Sequence, residues 1–248
     1  MGQASRMRAA QVSQSEGGYV SYGYLASVPL PPTTPTYAPV PHTEVLDTLR
    51  DEAAALGMTV TGSAYSVRKA GKQLFFSITF EGSTTGEYLR SLVGINSYDK
   101  SIALRLGGGL LTTVCTNLSL SAEYQYYHKH TKGLSLRDGA RAVLSGLPSL
   151  CGALEQEMVG MKGTTITKGQ GSYFLLEWAR SVSMSRGDIY RTLELWEEPL
   201  HEAFTPYTEH VYGLYQAITT VCGAWHDSKK YPALEQLAGM VRGWTWDQ

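Results

Sequence analysis

A chain of 248 residues, 43% of them hydrophobic, is long enough to bury one sizeable core with appendages or two small ones. A net charge of −1 excludes a uniformly basic nucleic-acid binder and a polybasic membrane-surface protein. No apolar run reaches the roughly 18 residues of a membrane span, and no apolar stretch of signal-peptide type follows Arg6 and Arg8. The expected compartment is therefore the cytoplasm, with no membrane partner.

Residues 1–42 read as an arm. Tyr19, Tyr22 and Tyr24 alternate in a strand-like way, and six prolines follow at 29, 31, 32, 35, 39 and 41. Such a segment is extended and adds little to a core. Deleting residues 1–40 is therefore expected to leave the fold intact and to weaken assembly, with the tyrosines docking on a neighbouring subunit.

Thr43 to Leu56 reads as an amphipathic helix, capped by Thr43, ended by Gly57, with Val45, Leu46, Leu49, Ala53 and Leu56 as its apolar stripe. Strands follow at Met58–Val67, Leu74–Phe80, Tyr88–Asn96 and Ile102–Val114, with a basic hairpin turn at 68–72. Gly107, Gly108 and Gly109 suggest a bulge or a close backbone approach in the last strand. A strand-to-helix joint is expected around Cys115 and Asn117. From Ser135 onward helices dominate: one to Met158 with a kink at Pro148, a loop over 160–171, then 173–184, 189–198, 208–225 and a short one from Pro232 to Gly243. The order predicts an α+β fold: an antiparallel sheet of about four to five strands packed by helices, with a Pro-rich N-terminal arm and a helical C-terminal half. Residues 43–134 and 135–248 are read as two parts of one domain.

Familiar chemistry is scarce. The LGGGLLTT run is no nucleotide loop. His128 and His130 are spaced for a strand, and no Cys/His/Asp/Glu cluster with metal spacing accompanies them. Cys115, Cys151 and Cys222 are set among apolar neighbours and read as buried thiols. No catalytic residue, metal or cofactor is assigned. Asn96, Asp99 and Asn117 sit at a turn and a joint, where short polar side chains bond nearby backbone, so they are read as structural.

Charge is unevenly spread. Residues 1–60 carry −2, residues 61–149 carry +5 and residues 150–248 carry −4. The middle block holds Arg68, Lys69, Lys72, Lys100, Arg105, Lys129, His130, Lys132, Arg137 and Arg141, interleaved with Tyr65, Tyr98, Tyr124, Tyr126 and Tyr127. Cations follow a phosphate backbone and aromatic rings stack on bases. The nucleic-acid-binding set taken from this block is Arg68, Lys69, Lys72, Tyr98, Lys100, Arg105, Lys129, His130 and Lys132. A solvated strand face is the competing account, and Lys229 and Lys230 lie outside the block.

The run INSYDKSIALRLGGGLLTTVCTN resembles the signature of phage/plasmid-like proteins known by a domain of unknown function, DUF932. Asn96, Ser97, Asp99 and Ser101 match an "NSHDGS" turn; Ala103, Leu104 and Arg105 match its strand. Val114, Cys115 and Asn117 match a "VVCxNTL" joint, and His130 and Thr131 an "RHT" element. Leu214 to Asp227 is similar to an "LYNAVTEYxDH" helix. Tyr98, Lys100, Lys129 and Gln216 depart from the pattern. The resemblance implies a phage, prophage or plasmid context and assigns no activity. The element order also resembles, more faintly, Rad52-type single-strand annealing proteins, which form rings on DNA. The expected function is thus a phage-type single-stranded DNA-binding and annealing protein for recombination or replication, forming a homo-oligomer. The alternative is a structural or host-interaction protein that self-assembles through its arm without nucleic acid.

Overall fold

The computed structural model describes residues 19–82, 86–113, 117–120 and 126–244. Six strands form one antiparallel sheet: β1 (Val60–Arg68), β2 (Gln73–Phe80), β3 (Tyr88–Ser97), β4 (Leu104–Thr112), β5 (Leu118–Leu120) and β6 (Tyr126–His128). β1 to β4 pair in chain order, and the two short strands both pair with β4, β5 near Leu111 and β6 near Leu104. Among the described residues there are seven α-helices: α1 (Tyr22–Ser27), α2 (His42–Ala55), α3 (Leu136–Gly163), α4 (Lys168–Ser181), α5 (Arg186–Glu197), α6 (Val211–Gly223) and α7 (Asp227–Gly243). The fold is α+β with a helical C-terminal half.

Alternation along the strands sorts the two faces of the sheet. Tyr65 and Phe76 are paired in register, and Tyr65 meets Arg50 of α2. Leu74, Phe76, Ile78 and Phe80 are fully buried on that side, where α2 and α3 pack. Ser66 and Phe75, the next pair, face α7: Ser66 Oγ donates to Asp227 Oδ2 at 2.6 Å, and the Phe75 ring meets His226 edge-on. Gly94 leaves room for the Phe76 ring, which a Cβ there would strike at 2.2 Å.

Several elements differ from expectation for identifiable reasons. Tyr22–Ser27 is a helix, not a strand, because Ser21 accepts the amide of Tyr24 and starts a turn whose Leu25 is buried. The segment it opens packs on the chain's own core. Val20 donates to the Tyr65 carbonyl, Tyr22 Oη to Asp47 and Ala38 N to the His130 carbonyl, while Tyr37 is buried. α2 begins after Pro41 without a side-chain cap from Thr43, and Leu56 is 42% exposed beyond its end. β4 runs unbroken through Gly107–Gly109 in register with β3. The sheet's register shift lies in β1, between Val60 and Gly62. The close approach is real at Gly109, where a Cβ would lie 2.4 Å from the Ser119 carbonyl. After the expected joint at Cys115, itself outside the described residues, the chain forms β5 and not a helix.

α3 continues through Pro148 for 28 residues. The proline forfeits one hydrogen bond. The stripe Val143, Leu144, Leu147, Cys151, Leu154 and Met158 is buried on both sides of it, and that burial outweighs the loss. α7 likewise starts at Asp227, five residues before Pro232. Glu52, 2% exposed, fixes α2 to α3 by accepting from Arg141 Nε at 2.7 Å, with Arg137 Nε at 3.5 Å. Two cations of the middle block are thereby committed to a carboxylate.

Because residues 19–41 contribute to the core, their removal should destabilise the fold, contrary to the expectation for a free arm. Leu25→Ala should cost about 2–5 kcal/mol, as buried Leu-to-Ala changes do. Denaturant unfolding of this variant, and of a chain shortened to residue 42, checks this. Wild-type midpoints in both would return the segment to the status of an appendage.

Candidate nucleic-acid interface

Strands β1 and β3 end, and β2 and β4 begin, at one edge of the sheet, as the pairs Arg68 with Gln73 and Gln73 with Ser97 show. β6 also ends there, opposite Leu104. Three connections therefore share that rim: the β1–β2 turn with Lys69 and Lys72, the β3–β4 turn with Lys100, and the segment after β6 with Lys129 and Lys132. Arg68, Lys69, Lys72, Lys100, Lys129 and Lys132 are all exposed. The sequence spreads these cations over 65 positions, and antiparallel pairing brings them to one end.

The turns are tight. Lys69, Ala70 and Lys100 have positive φ, at 52°, 54° and 63°, which costs energy in non-glycine residues. Asp99 offsets that cost by joining the two turns. Its Oδ2 accepts from Lys69 Nζ at 2.7 Å and Gln73 Nε2 at 3.0 Å, and its Oδ1 from the Ser101 amide at 3.1 Å. Burial alone would raise its carboxyl, but the bonds from Lys69 and Ser101 outweigh burial and hold it down to about 2.

Beneath the rim lies a buried polar network centred on Asn96. Its Nδ2 donates to the Val40 carbonyl and to His42 Nδ1, both at 2.9 Å, and its Oδ1 accepts from His130 Nε2 at 2.6 Å. An accepting Nδ1 places the His42 proton on Nε2, which donates to the Gly71 carbonyl at 2.8 Å. The Tyr98 ring lies flat on His42, with centroids 3.8 Å apart, and its hydroxyl accepts the His42 amide at 2.6 Å. Burial pushes the His42 imidazole down to about 4 and lowers His130 as well, with the neighbouring histidines adding to both shifts.

The sequence-derived set thus divides. Arg68, Lys69, Lys72, Lys100, Lys129 and Lys132 come together on the rim. Tyr98 and His130, 6% and 5% exposed, belong to the buried network and offer no surface to a ligand. Arg105 is half-buried, its guanidinium 5.3 Å from the centre of the Tyr127 ring. Tyr127, 56% exposed, offers an aromatic ring at this end. Tyr124 lies outside the described residues. Asn96 and Asp99 organise the rim, whereas Asn117 is remote from it: its Nδ2 reaches Gln216 Oε1 and Thr220 Oγ1 of α6, both at 2.9 Å. One residue escaped sequence reasoning. Lys229, in the acidic C-terminal block, stands with Arg68 because Arg68 Nη1 donates to Ser228 Oγ at 3.1 Å. No spacing in the sequence signals that meeting.

This arrangement, a sheet whose turn motifs carry the N-S-x-D pattern over a histidine–asparagine network, defines a class by its fold and motifs. The family described as a domain of unknown function, DUF932, matches residues 30–224, and the chain belongs to it. No curated protein and no solved structure matches the chain. No helix among the described residues is long and apolar enough to cross a membrane.

Burial disfavours the charged form of both network histidines in the folded chain, and each returns towards about 6.5 in the unfolded chain. Between that value and about 4 the unfolded chain takes up protons that the folded chain refuses. Their contribution to stability should be complete above about pH 6.5 and decline as pH falls towards 4. Asn96→Ala should cost about 1–3 kcal/mol for each buried group left unpaired. Urea unfolding between pH 4 and 8 measures both, and a flat profile for the wild type would refute the assignment of neutral, buried imidazoles.

Proposed function

We propose that the rim binds single-stranded DNA and that the protein acts in phage-type recombination or replication, as an annealing protein. The observation that supports this is the convergence of Arg68, Lys72, Lys100, Lys129 and Lys132 at one end of the sheet. None of them has a carboxylate partner among the described residues. Unneutralised cations gathered on one rim match a polyanion with a repeating phosphate. Tyr127 supplies a ring face for a base, and a ring accepts any base. Binding through phosphates leaves the base edges outward and free to pair, as annealing requires. A homo-oligomer would set copies of the rim end to end and lengthen the track. Residence in a bacterial cytoplasm follows from the same reading.

A second reading, a self-assembling protein without nucleic acid, draws support from the helical half. Tyr173 and Leu176 of α4, Tyr190 of α5 and Leu200 are 48–69% exposed. Such residues suit a protein interface. The two readings diverge in salt.

Binding to short single strands should weaken steeply as salt rises, because bound cations displace counterions. Reversing Lys72, Lys129 and Lys132 to Glu should reduce affinity for every sequence alike and flatten the salt slope by about one for each phosphate no longer neutralised. Thermal stability should stay within about 0.5 kcal/mol, since these side chains are exposed. Fluorescence anisotropy with labelled strands reads this out. No affinity at about 50 mM salt, where electrostatic attraction is strong, would leave the assembly reading in its place.

A further inference from the structure

The last helix forms one wall of a cleft that shares Arg68 with the rim. Between the start of α7 and the β1–β2 hairpin lies an open cavity of about 760 Å³, within the size range of small-ligand sites. Arg68 and Lys69 line it from the hairpin; His226, Asp227, Ser228 and Lys229 line it from the start of α7.

Charge is unbalanced there. A helix N-terminus carries about half a positive charge, and α7 is 17 residues long. A carboxylate in the first turn ordinarily offsets this, and Asp227 holds that position. Yet Asp227 is buried and its oxygens are taken by Lys230 and Ser66. Lys69 is paired with Asp99. Arg68 and Lys229 have no carboxylate among the described residues. The guanidinium bonds a neutral hydroxyl, and the Lys229 ammonium lies 3.8 Å from the centre of the Trp225 ring. Two cations and the positive end of a helix thus border one open space. His226 Nδ1 accepts the Ser228 amide at 3.1 Å and so caps the first turn of α7.

We propose that this cleft binds a phosphomonoester dianion, held between Arg68 and Lys229 at the first turn of α7. A double negative charge suits two cations and a helix N-terminus better than a carboxylate does. The guanidinium fork matches two phosphate oxygens at once. Two sources carry such a group: the 5′ end of a nucleic-acid strand and a free nucleotide. The proposal does not rest on the rim reading, because Lys72, Lys129 and Lys132 do not line the cleft.

Calorimetric titration of the full chain in phosphate-free buffer tests it, with dTMP, thymidine, inorganic phosphate and a short oligothymidylate bearing or lacking a 5′-phosphate. dTMP and inorganic phosphate should bind and thymidine should not. Arg68→Glu and Lys229→Glu should each weaken dTMP binding about tenfold or more, as loss of one charge-assisted hydrogen bond does. Lys229→Gln, which removes charge without reversing it, should weaken it less, and Lys132→Glu should leave it unchanged. Tighter binding of the oligothymidylate with the 5′-phosphate than of the one without it assigns the site to strand ends; equal binding of the two, with dTMP bound, assigns it to free nucleotides. If dTMP binds no better than thymidine, or keeps its affinity in both reversal variants, the proposal is wrong. A rim failure looks different: Lys72, Lys129 and Lys132 would then be silent in strand binding while dTMP still bound.

Discussion

The amide of Asn96 is the point on which the upper end of the molecule depends. A carboxamide is the side-chain group that can donate to one neutral imidazole and accept from another while still reaching a backbone carbonyl. Those bonds tie together four stretches that the sequence keeps far apart: the segment before α2, the β1–β2 turn, β3 and the segment after β6. Each of these carries, or directly supports, a basic loop. The exposed cations therefore sit on a hydrogen-bonded layer. An apolar layer of the same volume would pack as tightly but would not fix which histidine nitrogen meets which partner, and so would not set the turns in register.

The sheet and its four long strands were legible because LFFSITF and its neighbours alternate or run apolar between turn residues. The helical half was legible from its period. Boundaries failed where tertiary burial overrode a local rule. Pro232 reads as a helix start, yet it lies inside α7, which begins at Asp227 and already buries Tyr231 before it. Tyr19, Tyr22 and Tyr24 look alternating, but one Ser21 cap and one buried Leu25 decide for a helical turn. Tyr98 and His130 looked like ligand-binding residues because composition shows residue type and not depth. Their burial is set by partners 56 and 34 positions away, respectively, which no local pattern encodes.

The family match ends at residue 224, and α7 begins at Asp227. One wall of the cationic cleft thus belongs to the matched region and the other lies just beyond it. The rim, by contrast, is built wholly within residues 30–224. The two basic surfaces meet at Arg68, which serves the hairpin on one side and Ser228 on the other.

The bond from Ser66 to Asp227 spans 161 positions, and this separation bears on how the chain comes to be folded during synthesis. Until residues 227–243 have left the ribosome, Phe75 and its neighbours lack the cover that α7 gives that side of the sheet. Contacts so distant in sequence are closed late and slowly, and an uncovered sheet face is prone to stick to others in the meantime. A truncated translation product ending before α7 would retain every strand and most of the core, and still be a species for cellular quality control to remove.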